Sequence, residues 1–86
     1  MNFLQVKIFS TVTCPYCKML KDYLTEHGIL FENVFVDQDE KGREEMMQAS
    51  GGFLGVPFTV IVKDDGTKET VLGFDKNKIN NVLGIG

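Results

Sequence analysis

Histidine occurs once and cysteine twice in these 86 residues. A structural zinc site wants four ligands, and beyond the two cysteines only His27 could serve, so a self-contained zinc centre is excluded. So few cysteines also exclude a small secreted scaffold held by several disulfides. No apolar run approaches the roughly 20 residues needed to cross a bilayer. Met1-Asn2-Phe3-Leu4-Gln5 carries no positive charge ahead of its apolar residues, so no secretory leader and a cytoplasmic location are expected. Excess positive charge is missing too: the net charge is −3 and the lysines are scattered, which leaves no footprint for nucleic acid or an anionic membrane. Nor is there a serine, histidine and acid constellation, a phosphate-binding glycine loop or a paired ligand set for a catalytic metal. Partners are expected among thiols and proteins.

What the sequence does have is a pair of cysteines at a particular junction. Cys14-Pro15-Tyr16-Cys17 follows the apolar, strand-like Val6-Lys7-Ile8-Phe9 and opens a helical pattern at Pro15. A cysteine at a helix N-terminus faces unpaired backbone N–H groups and the positive end of the helix dipole. Its thiol pKa then falls from ~8.5 into a range of roughly 3.5–7.5. Cys14 is therefore the expected nucleophile. Pro15 suits the first helical position, because its fixed φ fits and its missing N–H would be unbonded there, and this keeps Cys17 beside Cys14 as the resolving thiol. A half-site for metal and an inert disulfide are the competing readings. The first lacks a second ligand pair, and so short a loop gains little from cross-linking.

With 43% hydrophobic residues, the chain is expected to form one domain over residues 1–86, burying ~60–65% of its unfolded surface. A strand from Gln5 to Phe9 leads into a helix carrying Tyr16, Leu20, Tyr23 and Leu24 at helical spacing and stopped by Gly28. A second strand, Ile29 to Val36, completes a right-handed parallel crossover. The acids Asp37-Gln38-Asp39-Glu40 form a solvated loop and helix start. The helix they open runs through Met46, Met47 and Ala49, both methionines expected in the core, to Gly51-Gly52. Phe58 to Val62 and Glu69 to Leu72 flank Asp64-Asp65-Gly66, an antiparallel hairpin. Asp75 is the natural N-cap of a last helix that covers the sheet with Ile79, Val82 and Leu83. The class is α/β and the order β-α-β-α-β-β-α. His27 lies ~18–20 Å along the first helix from Cys14 and is read as a helix C-terminal residue, not a base.

That order, with Cys-Pro-Tyr-Cys after the first strand, Val56-Pro57 before the third and Gly73-Phe74-Asp75 before the last helix, resembles the glutaredoxins. The resemblance implies a thioredoxin fold, a four-stranded mixed sheet flanked by three helices. It implies that Cys14 attacks disulfides, that Cys17 resolves the mixed disulfide, and that Pro57 is cis beside the cysteines, against the trans form that sequence alone favours. Val56 would offer its backbone to a peptide-like thiol as a short added strand, Tyr16 would wall the groove, and Phe74 and Asp75 would complete a glutathione site. No bound cofactor or metal is implied. By the same resemblance glutathione would be the reducing co-substrate and glutathionylated or disulfide-bonded proteins the substrates, and a monomer is expected.

The departures from the family pattern bear on the reductant. Thr11 stands where glutaredoxins commonly place a Lys or Arg for a glutathione carboxylate, Gly55 replaces the Thr of Thr-Val-Pro, and Phe74 replaces the second glycine of a pair. Gly-Phe is similar to the small redoxins that serve ribonucleotide reductase and take electrons from thioredoxin reductase. Losing charge-assisted contacts of roughly 1.5–3 kcal/mol would weaken glutathione about ten- to a hundredfold per contact, unless Lys18, Lys21 or Lys76 substitutes. Two alternatives follow: a redoxin reduced by thioredoxin reductase, and, from another class, a dimer holding an iron–sulfur cluster through Cys14 with glutathione as co-ligand.

Overall fold

The computed structural model describes residues 5–52 and 55–84. The leader reading of residues 1–4 therefore lies outside the described residues. The elements are β1 (Gln5–Ser10), α1 (Pro15–Glu26), β2 (Glu32–Phe35), α2 (Glu40–Ser50), β3 (Phe58–Val62), β4 (Lys68–Leu72) and α3 (Lys76–Leu83). The strands form one sheet in the order β2-β1-β3-β4, with β1 and β2 parallel and the other pairs antiparallel. The element order and mixed sheet are those expected.

Alternation along β1 divides the core in two. Val6 and Ile8 face Leu20 and Leu24 of α1 and Ile79 of α3, while Phe9 turns to the opposite face with Val34, Met46 of α2 and Phe58. Each fully buried aliphatic side chain contributes roughly 1.5–3 kcal/mol, so both helical layers are held to the sheet by side chains rather than by loops. Lys7, on the α2 face, is paired with Glu45 at 2.6 Å and Glu32 at 3.7 Å. The Glu45 hydrogen bond holds its ammonium group above the usual lysine range.

Two expectations are corrected here. The second strand begins at Glu32, not Ile29, because Gly28 and Ile29 are used to close α1: Gly28 has φ +70°, its N–H donates to Thr25 O at 3.1 Å, and the Ile29 N–H donates to Leu24 O at 2.9 Å. This is a Schellman closure, in which the residue after the glycine packs back on the helix, as Ile29 does. Its apolar side chain served a cap, and Leu30 is exposed. Of the two methionines, only Met46 is in the core; Met47, about 100° further round the helix, is 41% exposed.

Gly42 in the first turn of α2 marks the closest approach of that helix to the sheet. A Cβ there would overlap the Val34 Cγ1 methyl, which is itself buried. Helix propensity alone makes Gly→Ala favourable by about 1 kcal/mol, but overpacking a tight contact costs about 1–3 kcal/mol. Gly42→Ala is expected to destabilise the protein by about 1 kcal/mol, read as a lower denaturant midpoint at unchanged slope.

Candidate active site

The parallel crossover and the two antiparallel pairings bring four segments to one end of the sheet. β1 and β2 both end there. Phe58, the first residue of β3, sits across from Phe9 on one side and Leu72 on the other, so Val56-Pro57 and Gly73-Phe74-Asp75 flank the same edge as Thr11–Cys14. The Gly73 N–H donates to Pro57 O at 2.8 Å. The Val56–Pro57 peptide is cis, as the resemblance implied.

Cys14 is the N-cap of α1 and Pro15 its first residue. Cys14 Sγ accepts the Cys17 N–H at 3.1 Å, the role an Asp or Ser oxygen usually fills at a helix start. The two sulfurs are joined as a disulfide with the Cα atoms 5.2 Å apart, a separation a disulfide spans without moving the backbone. The environments of the pair differ: Cys17 is fully buried in the first helical turn, whereas Cys14 is half-exposed at the mouth. An incoming sulfur can reach Cys14 and not Cys17. When the disulfide is open, the Cys17 N–H that Cys14 accepts and the positive end of the α1 dipole are positioned to stabilise a thiolate there.

Beside Cys14 in the chain, Val12 and Tyr16 are exposed apolar side chains; Tyr16 is 62% accessible, so its ring stands in solvent. Asp75 accepts the Lys78 N–H at 3.2 Å and caps α3 with its carboxylate. Phe74 turns inward, its ring edge-on to Tyr23 of α1 at 5.8 Å. The three lysines named as substitutes for the missing basic residue are engaged elsewhere. Lys18 pairs with Asp22 at 2.7 Å, Lys21 lies over the Phe35 ring at 4.9 Å, and Lys76 lies over Tyr23 at 5.1 Å. His27 caps the far end of α1 against Tyr23, with ring centroids 4.3 Å apart.

Asp37 is exposed, as expected of the solvated acidic run. Its Oδ2 accepts the Val12 N–H at 3.3 Å and braces the loop that delivers Cys14. The signal was its position just past a strand parallel to β1, which carries it to the same sheet end. Asp37 also lines a crevice of about 220 Å³ with Thr11, Val36 and Arg43. Among the described residues there is no cluster of three or more His, Cys, Asp or Glu that could hold a metal ion, and no helix is long and apolar enough to cross a membrane.

A helix-capping cysteine bonded to a buried one, at the strand end of a four-stranded mixed sheet, defines a thiol–disulfide oxidoreductase with the thioredoxin fold. The glutaredoxin family model matches residues 6–65. A glutaredoxin-like 8.6 kDa protein of the rubredoxin operon in Clostridium pasteurianum is 41% identical over 78 residues, covering 91% of this chain and 96% of its own. The glutaredoxin-like protein NrdH of Lactococcus lactis is 37% identical over 60 residues, 70% of this chain and 78% of that protein. Among solved structures, the glutaredoxin of Archaeoglobus fulgidus superposes with a TM-score of 0.69 at 30% identity, covering 91% of this chain and 84% of its own. The chain belongs to the glutaredoxin family.

Proposed function

We propose that the protein reduces glutathione-mixed and protein disulfides through a dithiol cycle, with Cys14 as nucleophile and Cys17 as resolving thiol. The carrying observation is the asymmetry of the pair: the half-exposed Cys14 caps the helix with its sulfur, and Cys17 is buried behind it. The Cys14 thiolate attacks one sulfur of the substrate disulfide, whose other sulfur leaves as a thiolate and takes a proton. Cys17 then loses its proton and attacks Cys14 Sγ. This releases the second substrate thiol and leaves the Cys14–Cys17 disulfide, so two electrons have passed to the substrate. Val56 and Pro57 bind the substrate backbone beside Cys14, and Tyr16 flanks the bound sulfur.

Glutathione is one electron donor for this cycle, in keeping with the family. Recharging by a thioredoxin reductase is the second reading, and a specific observation favours it. Lys18, Lys21 and Lys76 already have partners, Thr11 carries no charge, and Val12 and Tyr16, which lie close to Cys14 in the chain, are exposed apolar side chains suited to a protein surface. A coupled NADPH assay separates the two donors, glutathione with its reductase in one arm and thioredoxin reductase in the other. The missing charge-assisted contact weakens glutathione, so on the second reading turnover is expected to be faster in the thioredoxin reductase arm. Faster turnover with glutathione would withdraw the second reading.

A further inference from the structure

Tyr23 stands two turns down α1 from the cysteines, and three residues of the chain from Phe74 to Asn80 converge on it. Its hydroxyl donates to Asn80 Oδ1 at 2.5 Å. Its ring meets Phe74 at 5.8 Å with an interplanar angle of 66°, the edge-on arrangement that the ring quadrupoles favour. The Lys76 ammonium lies over both rings, 5.1 Å from the Tyr23 centroid and 5.7 Å from that of Phe74. Tyr23 and Phe74 are only half-buried, at the margin of the core cluster beneath α1 and α3.

The loop that these contacts hold is otherwise fastened only at its ends. Gly73 bonds to Pro57 O, and Asp75 caps α3. Gly73 has φ +69°, a conformation that a residue without Cβ adopts freely, and this is where the chain turns out of β4. The Phe74 ring packs against the core cluster that includes Leu20 and Leu24 of α1 and Ile79 of α3, and so ties the middle of the segment to the helix carrying both cysteines.

We propose that Tyr23 is a positioning residue. Through the Phe74 ring and the Lys76 ammonium it fixes the Gly73–Asp75 wall of the site to α1, and so sets the gap between that wall and Cys14. This rests on the proposed disulfide reduction at Cys14. A substrate seated across the disulfide meets the backbone of the loop, while the Phe74 ring faces away and works as an anchor. Loss of the anchor widens the gap and weakens docking, but leaves the Cys14 sulfur and its helix start untouched.

The test uses the full chain and two substrates, a glutathionylated cysteine peptide and insulin, with whichever reductase sustains wild-type turnover. Tyr23→Leu removes ring and hydroxyl, and is expected to raise KM about three- to tenfold with kcat within about twofold. Tyr23→Phe keeps the ring contacts and is expected to hold KM within about twofold of wild type, although it loses the Asn80 bond and some thermal stability. A KM unchanged in Tyr23→Leu, or equally raised in Tyr23→Phe, overturns the proposal. If Tyr23→Leu does not fold, Tyr23→Met, which keeps an apolar side chain without the ring pair, is read by the same criteria. Failure of the wild type on both substrates strikes the functional reading alone. The anchor is then read from amide hydrogen exchange at residues 73–75: faster exchange in the folded variant supports it, and equal exchange overturns it.

Discussion

Cys14→Ser is expected to abolish disulfide reduction, with turnover on insulin and on a glutathionylated peptide falling by a thousandfold or more, on the order of what loss of a nucleophile costs an enzyme. A serine hydroxyl at the same N-cap still accepts the Cys17 N–H, so the helix start is preserved and the fold should survive. It is not ionised near neutral pH, however, and cannot displace a thiolate from sulfur. Activity is measured in the coupled NADPH assay, with circular dichroism confirming the fold. Residual activity above a few per cent would mean that another group attacks the substrate.

Cys17→Ser should divide the substrates. A glutathione-mixed disulfide can be turned over by Cys14 alone, since a second glutathione releases the first, so activity on a glutathionylated peptide is expected to persist. A protein disulfide has no such exit. The first attack leaves the target bound to Cys14, and without Cys17 the complex stalls. A trapped covalent adduct should be visible on a non-reducing gel and vanish on adding dithiothreitol. Cys17 is fully buried, and an unpartnered hydroxyl there costs about 1–3 kcal/mol, so Cys17→Ala provides a control for stability. Loss of all activity on the glutathionylated peptide, while the wild type turns over with thioredoxin reductase, would move the assignment wholly to the second donor.

The parts of the site that could be read before any coordinates existed are those encoded locally. Strand, Cys14, Pro15 and a helical repeat sit within a dozen residues, and each demands the same helix start, so the helix-capping cysteine and the topology were legible together. Asp75 was legible for the same reason, as a short acid before an apolar repeat. Residues 29–31 misled because an apolar, β-branched run can either extend a strand or close a helix, and only the position of Gly28 against the last turn decides it. Met47 misled because adjacent positions on a helix point about 100° apart, and here the edge of the buried face falls between Met46 and Met47.

Long-range geometry accounts for the rest. Asp37 reaches the Val12 amide only because β2 runs parallel to β1 and ends beside it. The orientation of the Phe74 ring depends on the Tyr23 side chain, 51 positions earlier in the chain, and so does the placement of Lys76 over the Tyr23 ring. The tight contact at Gly42 is of the same kind. It arises from the distance between a helix and a sheet, which residue spacing does not encode.

The central claim is that the helix start makes Cys14, and not Cys17, the reactive thiolate. The direct measurement is the rate of iodoacetamide alkylation of the fully reduced protein as a function of pH, with each cysteine followed by peptide mass spectrometry. Cys14 is expected to be modified first, with a midpoint clearly below the ~8.5 of a free thiol, while Cys17 stays unmodified at neutral pH. Modification of Cys17 ahead of Cys14, or a Cys14 midpoint at or above ~8.5, would contradict the account.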